Sequence, residues 1–285
     1  MKLLITGTES YVGTKVADYI QNYHPEWTIY QLDVRTDEWK EHDFSKYDVI
    51  YHVAGLAHRK ITPDIEPLYY TVNRDLTIEV AKKAKECGVK QFIFMSTMGV
   101  YSYDETYVDY NTPTNPDNAY GKSKLQAEKE LEKIASDEFI VAIIRPPMIY
   151  GKGCKGNYNS LRKIALKSPV FPKVNNQLSM LYIDNLSEFV MRLVEGHRGG
   201  IFYPQNKELV NTTEWVKYIA EEHGKKIHTS RILGFLAELG KHVPGVRGYC
   251  IRAFGNSYYD IMMSGLDGLD YRVVGFRESI HETEN

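Results

Sequence analysis

The sequence predicts an α/β protein, a doubly wound parallel sheet followed by a smaller mixed α/β lobe. Three observations lead there. Up to about residue 150, short β-branched or aromatic runs alternate with amphipathic stretches of helical length. The runs are strand-sized and apolar, as strands buried on both faces are. After Pro146-Pro147 the rhythm changes to glycine-punctuated segments without clear strand–helix order.

In chain order the predicted strands are Lys2–Thr6, Thr28–Asp33, Val49–His52, Gln91–Met95 and Phe139–Ile144, with helices between them over about 12–22, 67–87 and 119–135. Gly151, Gly153 and Gly156 then open a loop, helices follow over 157–168 and 184–195, and Ile201–Tyr203 reads as one more strand. From about 207 helices and glycine-broken segments mix. The expected division is a cofactor-binding domain over 1–155, to which the chain returns at about 178–205, and a substrate lobe from 156–177 and 206–285. The polar segment from Tyr101 to Asn118 is long for a connector and is expected to act as a lid or binding loop.

Composition narrows the function classes. The 285 residues can bury a full core without disulfide or metal staples. Thirty-five Lys and Arg against 37 Asp and Glu leave no basic excess to neutralise a polynucleotide, so no nucleic-acid partner is expected. Cys87, Cys154 and Cys250 form neither a paired framework nor a zinc pattern, and no metal site is expected. The three-residue apolar run that starts the chain ends at Thr6-Gly7, and no run approaches the roughly 20 residues that span a bilayer. A soluble, unprocessed cytoplasmic protein with no membrane partner is therefore expected. Tyrosine is in surplus, 22 against 10 Phe and 3 Trp, which fits either binding surface or core filler.

The turn after the first strand reads Thr6-Gly7-Thr8-Glu9-Ser10-Tyr11-Val12-Gly13 and opens the first helix. Glycines there permit a tight turn and let pyrophosphate approach the helix N-terminus, as in Rossmann-type dinucleotide sites. Ser10 replaces the middle glycine, and its hydroxyl can donate to a phosphate. Asp33 stands 20 residues past Gly13, at the end of the second strand, where an acid takes the ribose hydroxyls of NAD. An acid at that position disfavours NADP, although Arg35 follows two residues later.

Tyr120 and Lys124 are four apart at the start of a helix and share one face. A phenol near pKa 10 is too weak a base at neutral pH, but a neighbouring ammonium favours the phenolate. Ser96 and Thr97 end a parallel strand on its ligand side, and Thr97 can bond the oxygen whose proton Tyr120 exchanges. Each feature has a plainer reading: an ordinary turn, a surface Tyr–Lys pair, a strand-end cap.

Together these residues resemble the extended short-chain dehydrogenase/reductase family, in its nucleotide-sugar epimerase and reductase branch, with UDP-glucose 4-epimerase as the nearest type. The resemblance runs through Gly7 to Gly13, Asp33, Asp43-Phe44, His52-Val53-Ala54-Gly55, Asn73, Ser96-Thr97, Val100-Tyr101, Tyr120 with Lys124, Arg145-Pro146-Pro147, and Leu181 to Asn185. It implies Thr97, Tyr120 and Lys124 as the catalytic set, with Lys124 also on the nicotinamide ribose. It implies cofactor contacts at Gly7, Ser10, Tyr11, Val12, Gly13, Asp33, Asp43, Phe44, Val53, Ala54, Gly55, Asn73, Ser96, Tyr120, Lys124 and Pro147. Substrate contacts are implied at Thr97, Met98, Tyr120, Asn157 and Arg252.

Two departures sharpen the expectation. Met98-Gly99 stand where the 4,6-dehydratases of the family carry an Asp-Glu pair, which argues against dehydration. Asn176-Gln177-Leu178-Ser179 lacks the arginine that often holds phosphate, so Arg247, Arg252 or a lysine must do so, or the ligand is not the usual UDP-sugar. The expected activity is NAD-dependent 4-epimerisation of a UDP-linked sugar, with a 4-keto reductase and a non-catalytic NAD(P)-binding regulator as alternatives. His58-Arg59 is read as a solvated loop pair rather than a substrate contact. A homodimer through the helices over 67–87 and 119–135 is implied by the resemblance.

Overall fold

The computed structural model describes residues 1–57 and 59–285. Its first half follows strand with helix: β1 (Lys2–Thr6), α1 (Tyr11–Tyr23), β2 (Thr28–Leu32), β3 (Val49–His52), α2 (Glu66–Tyr70), α3 (Leu76–Glu86), β4 (Gln91–Met95), β5 (Tyr107–Val108), α4 (Ala119–Ile134) and β6 (Ile140–Ile144). The second half contains β7 (Met148–Tyr150), α5 (Asn157–Lys167), β8 (Val170–Pro172), β9 (Met180–Tyr182), α6 (Ile183–Glu195), β10 (Gly200–Phe202) and α7 (Thr212–Glu222). It ends with β11 (His228–Ser230), α8 (Arg231–Gly240), α9 (Arg247–Phe254), β12 (Tyr258–Tyr259) and α10 (Phe276–Glu284).

Six strands form one parallel sheet in the order β10-β6-β4-β3-β1-β2. Successive side chains of a strand point to opposite faces, so each strand feeds two cores. Leu3, Ile5, Val49, Tyr51, Ile93 and Ile144 meet Val16 and Ile20 of α1 and Leu186 and Val190 of α6 on one face. Leu4, Ile50, Phe92, Phe94 and Ile143 meet Val80 and Ala84 of α3 and Ala127 and Leu131 of α4 on the other. Strands covered on both faces have no polar side to alternate with, which is why their sequences read as apolar runs.

The predicted strands and helices of the first half occur within a residue or two of their expected bounds, with one exception. The helix expected over 67–87 is interrupted by a π-helical turn at Thr71–Asp75 between α2 and α3. The second half adds three short parallel pairs that no run announced, β7 with β9, β8 with β11 and β5 with β12. Two- or three-residue strands carry too little periodicity to be read locally. The segment from Tyr101 to Asn118 is strapped down: Asp117 accepts from the backbone N–H of Tyr103 at 2.5 Å, Arg247 bonds Asp104 at 2.5 Å, and Tyr107 donates to Asp260 at 2.7 Å.

Because β2 and β3 flank β1 on opposite sides, the chain reverses its winding there. The loops leaving β1 and β3 diverge and leave a crevice beyond the carboxyl ends of the strands.

Candidate active site

The crevice continues into a cleft of about 1130 Å³, running from the β1 turn past the ends of β3, β4 and β6 to α9. That exceeds the roughly 300–1,000 Å³ of a drug-sized pocket and suits two ligands end to end.

At one end Gly7 adopts φ +102°, and a Cβ there would lie 3.3 Å from the backbone of Ala54. A Cβ on Gly13 would lie 2.9 Å from Val53. Glycine at both positions thus lets the β1 turn and α1 close onto the loop after β3. Ser10 caps α1 by accepting from the backbone N–H of Gly13 at 3.2 Å, leaving its own O–H to donate. No acidic residue stands in the first turn of α1, so its positive end faces the cleft unneutralised. The hydroxyl of Tyr11, which lines the cleft, is buried with no partner among the described residues. A tight turn, a helix N-terminus and spare donors fit the pyrophosphate of a dinucleotide.

Asp33 and Arg35 line the same end. The Arg35 guanidinium grips the Asp33 carboxylate at 2.6 Å and holds it below its ordinary carboxyl range, and it also reaches Glu9 at 2.8 Å. All three side chains are exposed, so these pairs are weakly held and can open to a ribose. Two carboxylates around one guanidinium leave little net attraction for an added ribose phosphate.

At the centre, α4 presents Tyr120 and Lys124 to the ends of β3 and β4. Lys124 is buried; its ammonium donates to the Met95 carbonyl at 2.8 Å and lies 4.6 Å from the Phe94 ring centroid. Burial pushes its pKa down to about 7, against the opposing pull of the Glu128 carboxylate. Tyr120 faces the open cleft and is only half-buried by surface, yet the protein around its ring raises the phenol above its ordinary value, while the neighbouring Thr97 hydroxyl opposes that rise. Thr97 Oγ1 accepts from the backbone N–H of Gly99 at 3.0 Å, which aims its side chain into the turn beneath Tyr120.

The approach of α4 depends on a glycine. A Cβ on Gly121 would come within 2.0 Å of the Gly99 carbonyl oxygen. Asn118 caps the helix by accepting from Gly121 N–H at 3.0 Å, and its amide also donates to the Tyr103 hydroxyl at 2.7 Å.

Most of the residues expected from the sequence meet here. Gly7, Ser10, Tyr11, Val12, Asp33, Val53, Ala54, Gly55, Ser96, Thr97, Met98, Tyr120, Lys124, Pro147, Asn157 and Arg252 all border the cleft. Met98 puts a thioether beside Thr97, 3.8 Å from Ser257 Oγ, so no carboxylate stands there for elimination.

Other expected residues lie elsewhere. Asp43 and Phe44 do not border the cleft: Asp43 closes a turn onto Ser45, and Phe44 is fully buried under Trp39. The cleft wall near Asp33 is made instead by Val34, Thr36, Asp37 and Trp39. Gly13 acts through packing. Asn73 is fully buried; it accepts from Leu56 N–H at 2.7 Å and donates to Leu56 O at 3.0 Å and Ser123 Oγ at 3.3 Å. It ties the loop after β3 to α4 from within the π-helical turn, a position of the kind often found at functional sites.

Ser96 borders the cleft but its hydroxyl is committed to Glu128. Glu128, Arg145, Tyr101 and Tyr259 complete a buried network: Arg145 pairs with Glu128 at 2.6 Å and donates to Tyr101 OH at 2.9 Å, and Tyr259 OH donates to Arg145 O at 3.0 Å. Glu128 was not foreseen, although it lies one turn beyond Lys124. Arg247 is engaged by Asp104 and lies away from the cleft, whereas Arg252 borders it with no carboxylate partner among the described residues. Tyr150 and Tyr158, on either side of the loop that Gly151, Gly153 and Gly156 open, are core residues, bonded to Ser279 and Glu284. Of the pair His58-Arg59, His58 lies outside the described residues and Arg59 borders the cleft. His52, fully buried between Thr6 at 2.7 Å and Thr77 at 3.0 Å, is kept neutral by burial and by the nearby Lys124 charge, its pKa lowered to about 3.

Comparison with known proteins supplies a context for this geometry. Residues 3–198 match the model of the NAD dependent epimerase/dehydratase family. The N-acetyl-alpha-D-glucosaminyl-diphospho-ditrans,octacis-undecaprenol 4-epimerase of Escherichia coli O157:H7 is 32% identical over 298 residues, spanning 96% of this chain and 83% of that protein. The UDP-glucose 4-epimerase of Vibrio cholerae is 30% identical over 245 residues, spanning 76% and 74%. Among solved structures, a mutant UDP-glucuronic acid 4-epimerase from Bacillus cereus, in complex with UDP-4-deoxy-4-fluoro-glucuronic acid and NAD, superimposes with TM-score 0.75 at 16% identity, covering 100% of this chain and 98% of that one. At that identity the likeness is one of fold.

Proposed function

Because the chain belongs to the NAD-dependent epimerase/dehydratase family, we propose that it is an NAD-dependent 4-epimerase of a sugar carried on a diphosphate, with a UDP-sugar as the first substrate to test. The observation that carries this reading is one continuous cleft with a dinucleotide cradle at one end, Thr97, Tyr120 and Lys124 in the middle and an unpaired Arg252 beyond them. The two named relatives act on sugars linked to different carriers, and a diphosphate is common to both names. Arg252 is the cation we assign to it, with Asn157 at the N-terminus of α5 as a second contact.

NAD, when bound, takes up a hydride and returns it. The cradle formed by Gly7, Ser10, Tyr11 and Val12 would hold its pyrophosphate and Asp33 its adenosine ribose, while the Glu9–Arg35–Asp33 cluster favours NAD over NADP. Tyr120 removes the proton from the sugar C4 hydroxyl and gives it back to the other epimer, and Thr97 donates to the same oxygen. Burial disfavours a Tyr120 phenolate and the Thr97 hydroxyl opposes that; in the fraction of molecules where Lys124 carries its proton, the ammonium one turn along α4 favours the phenolate further. Lys124 also presents a donor for a ribose hydroxyl, held in place by Met95 O. The two lobes we assign, 1–155 with 178–205 and the remainder, divide cofactor from sugar along this cleft. Pairing of two copies through α2–α3 and α4 is part of the same reading.

The test is turnover without added cofactor. Purified protein is expected to interconvert UDP-glucose and UDP-galactose, or their N-acetyl forms, and mass spectrometry should find NAD among the small molecules it releases. Tyr120→Phe is expected to lower kcat on the order of 10²–10⁴-fold while retaining NAD. Turnover only with stoichiometric NAD(P)H consumption would replace the epimerase by a 4-keto reductase.

A further inference from the structure

Helix α8 is built with its apolar residues on the wrong side for a self-contained protein. Its buried positions are Gly234, Ala237 and Gly240, and a Cβ on Gly234 would come within 2.2 Å of the Lys173 carbonyl oxygen. The small face is therefore pressed onto the protein, and the large side chains point out: Ile232 is 75% exposed and Phe235 63%, with Leu233, Leu236 and Leu239 exposed beside them. Tyr249 on α9 extends the patch at 72% exposure. A contiguous apolar face of this kind marks an interaction surface.

We propose that the α8–α9 face docks on an anionic lipid bilayer and turns the cleft toward it. Three observations select this occupant. Between Lys225 and Arg252 there are six Lys or Arg and one acid, Glu238, in a chain whose overall charge is −2; Lys241 pairs with Glu238 and Arg247 with Asp104, while Lys226, Arg231 and Arg252 have no carboxylate partner among the described residues. Aliphatic and aromatic side chains on one face with cations around them are the make-up of a helix that lies in the membrane interface. The face is also continuous with the site, because Ile251 and Arg252, on the same helix as Tyr249, border the cleft. No helix among the described residues is long and apolar enough to cross a membrane, so the contact is peripheral.

This inference deepens the proposed function and rests on it for one point only, that a sugar diphosphate occupies the cleft. A carrier anchored in the bilayer would hold its diphosphate at headgroup level, beside Arg252, so a lipid-linked sugar diphosphate is the substrate class that this surface fits.

Vesicle flotation tests it with the full chain. The wild type is expected to float with phosphatidylcholine vesicles containing phosphatidylglycerol, less as salt is raised, and to remain behind with phosphatidylcholine alone. Replacing the exposed trio by Ile232→Ser, Phe235→Ser and Leu236→Ser should weaken flotation about tenfold or more, with circular dichroism and turnover of soluble UDP-sugar unchanged. Tyr120→Phe should lose turnover yet float like the wild type, so turnover that survives this variant while flotation is intact would count against the site and not the surface. Flotation that is absent in the wild type, or equal in the triple variant, overturns the proposal. So does a dimer in sedimentation velocity that the triple variant dissociates while neither protein floats, since a second copy would then cover the face.

Discussion

Lys124 is held in the protein at an energetic cost that pH can expose. Its ordinary pKa of 10.5 falls to about 7 by burial, so between those values the unfolded chain binds a proton that the folded chain does not. Stability of the cofactor-free protein should therefore rise with pH from about 7 upward, by up to about 1.4 kcal/mol per pH unit from this one group. Lys124→Met removes that rise. Urea midpoints of the two proteins between pH 7 and 9.5 provide the check, and parallel curves would mean that Lys124 is charged in the fold at neutral pH. Tyr120, Lys124 and Thr97 were legible from the sequence because chemistry constrains their types and spacing. Glu128 was not, because its partners Ser96 and Arg145 come from the ends of two other strands.

Among the elements, α4 decides whether the site assembles, and a single missing methyl sets its position. Alanine normally stabilises a helix relative to glycine by about 0.8–1 kcal/mol. At Gly121 the sign should invert, because a Cβ would strike the Gly99 carbonyl oxygen and force α4 away from Thr97. Gly121→Ala is expected to destabilise by about 1–3 kcal/mol and to lower kcat more than it raises KM. Gly248→Ala on α9, where a Cβ would meet nothing within 4 Å, should instead stabilise by about 0.4–1 kcal/mol. Denaturant midpoints of the two variants decide the matter together. The existence and bounds of α4 could be read from the chain, but its contact glycine could not, since nothing local distinguishes Gly121 from any helical glycine.

At the scale of the whole molecule, the elements after residue 150 are bound to one another by carboxylates of α10. Glu284 is fully buried at its side chain and receives Tyr158 of α5, Arg162 of α5 and His223 after α7, each at 2.6 Å. Burial raises its carboxyl, but these donors outweigh burial and the pKa is lowered. A carboxylate lowered in the fold contributes stability above its unfolded value and loses it as pH falls. Glu284→Gln should cost about 2–3 kcal/mol at neutral pH, with the gap to wild type closing below about pH 4.5 in thermal melts. A constant gap down to that pH would show that hydrogen bonding, and not charge, carries the contribution.

The sequence by itself determined the parallel sheet, the order of its strands and helices, the dinucleotide turn and the Tyr120–Lys124 pair, since each is written in local periodicity or in a short spacing. It left the tyrosine surplus open, and the structure divided it: Tyr11, Tyr101, Tyr103 and Tyr120 border the cleft, while Tyr150 and Tyr158 are core. Only the tertiary structure decided that Asp43 and Phe44 stand away from the cleft, that Arg252 and not Arg247 faces it, and that α8 turns its large residues outward. These depend on which distant segments meet: a phenol or guanidinium has the same local signature whether its neighbour is a carboxylate, another ring or a ligand.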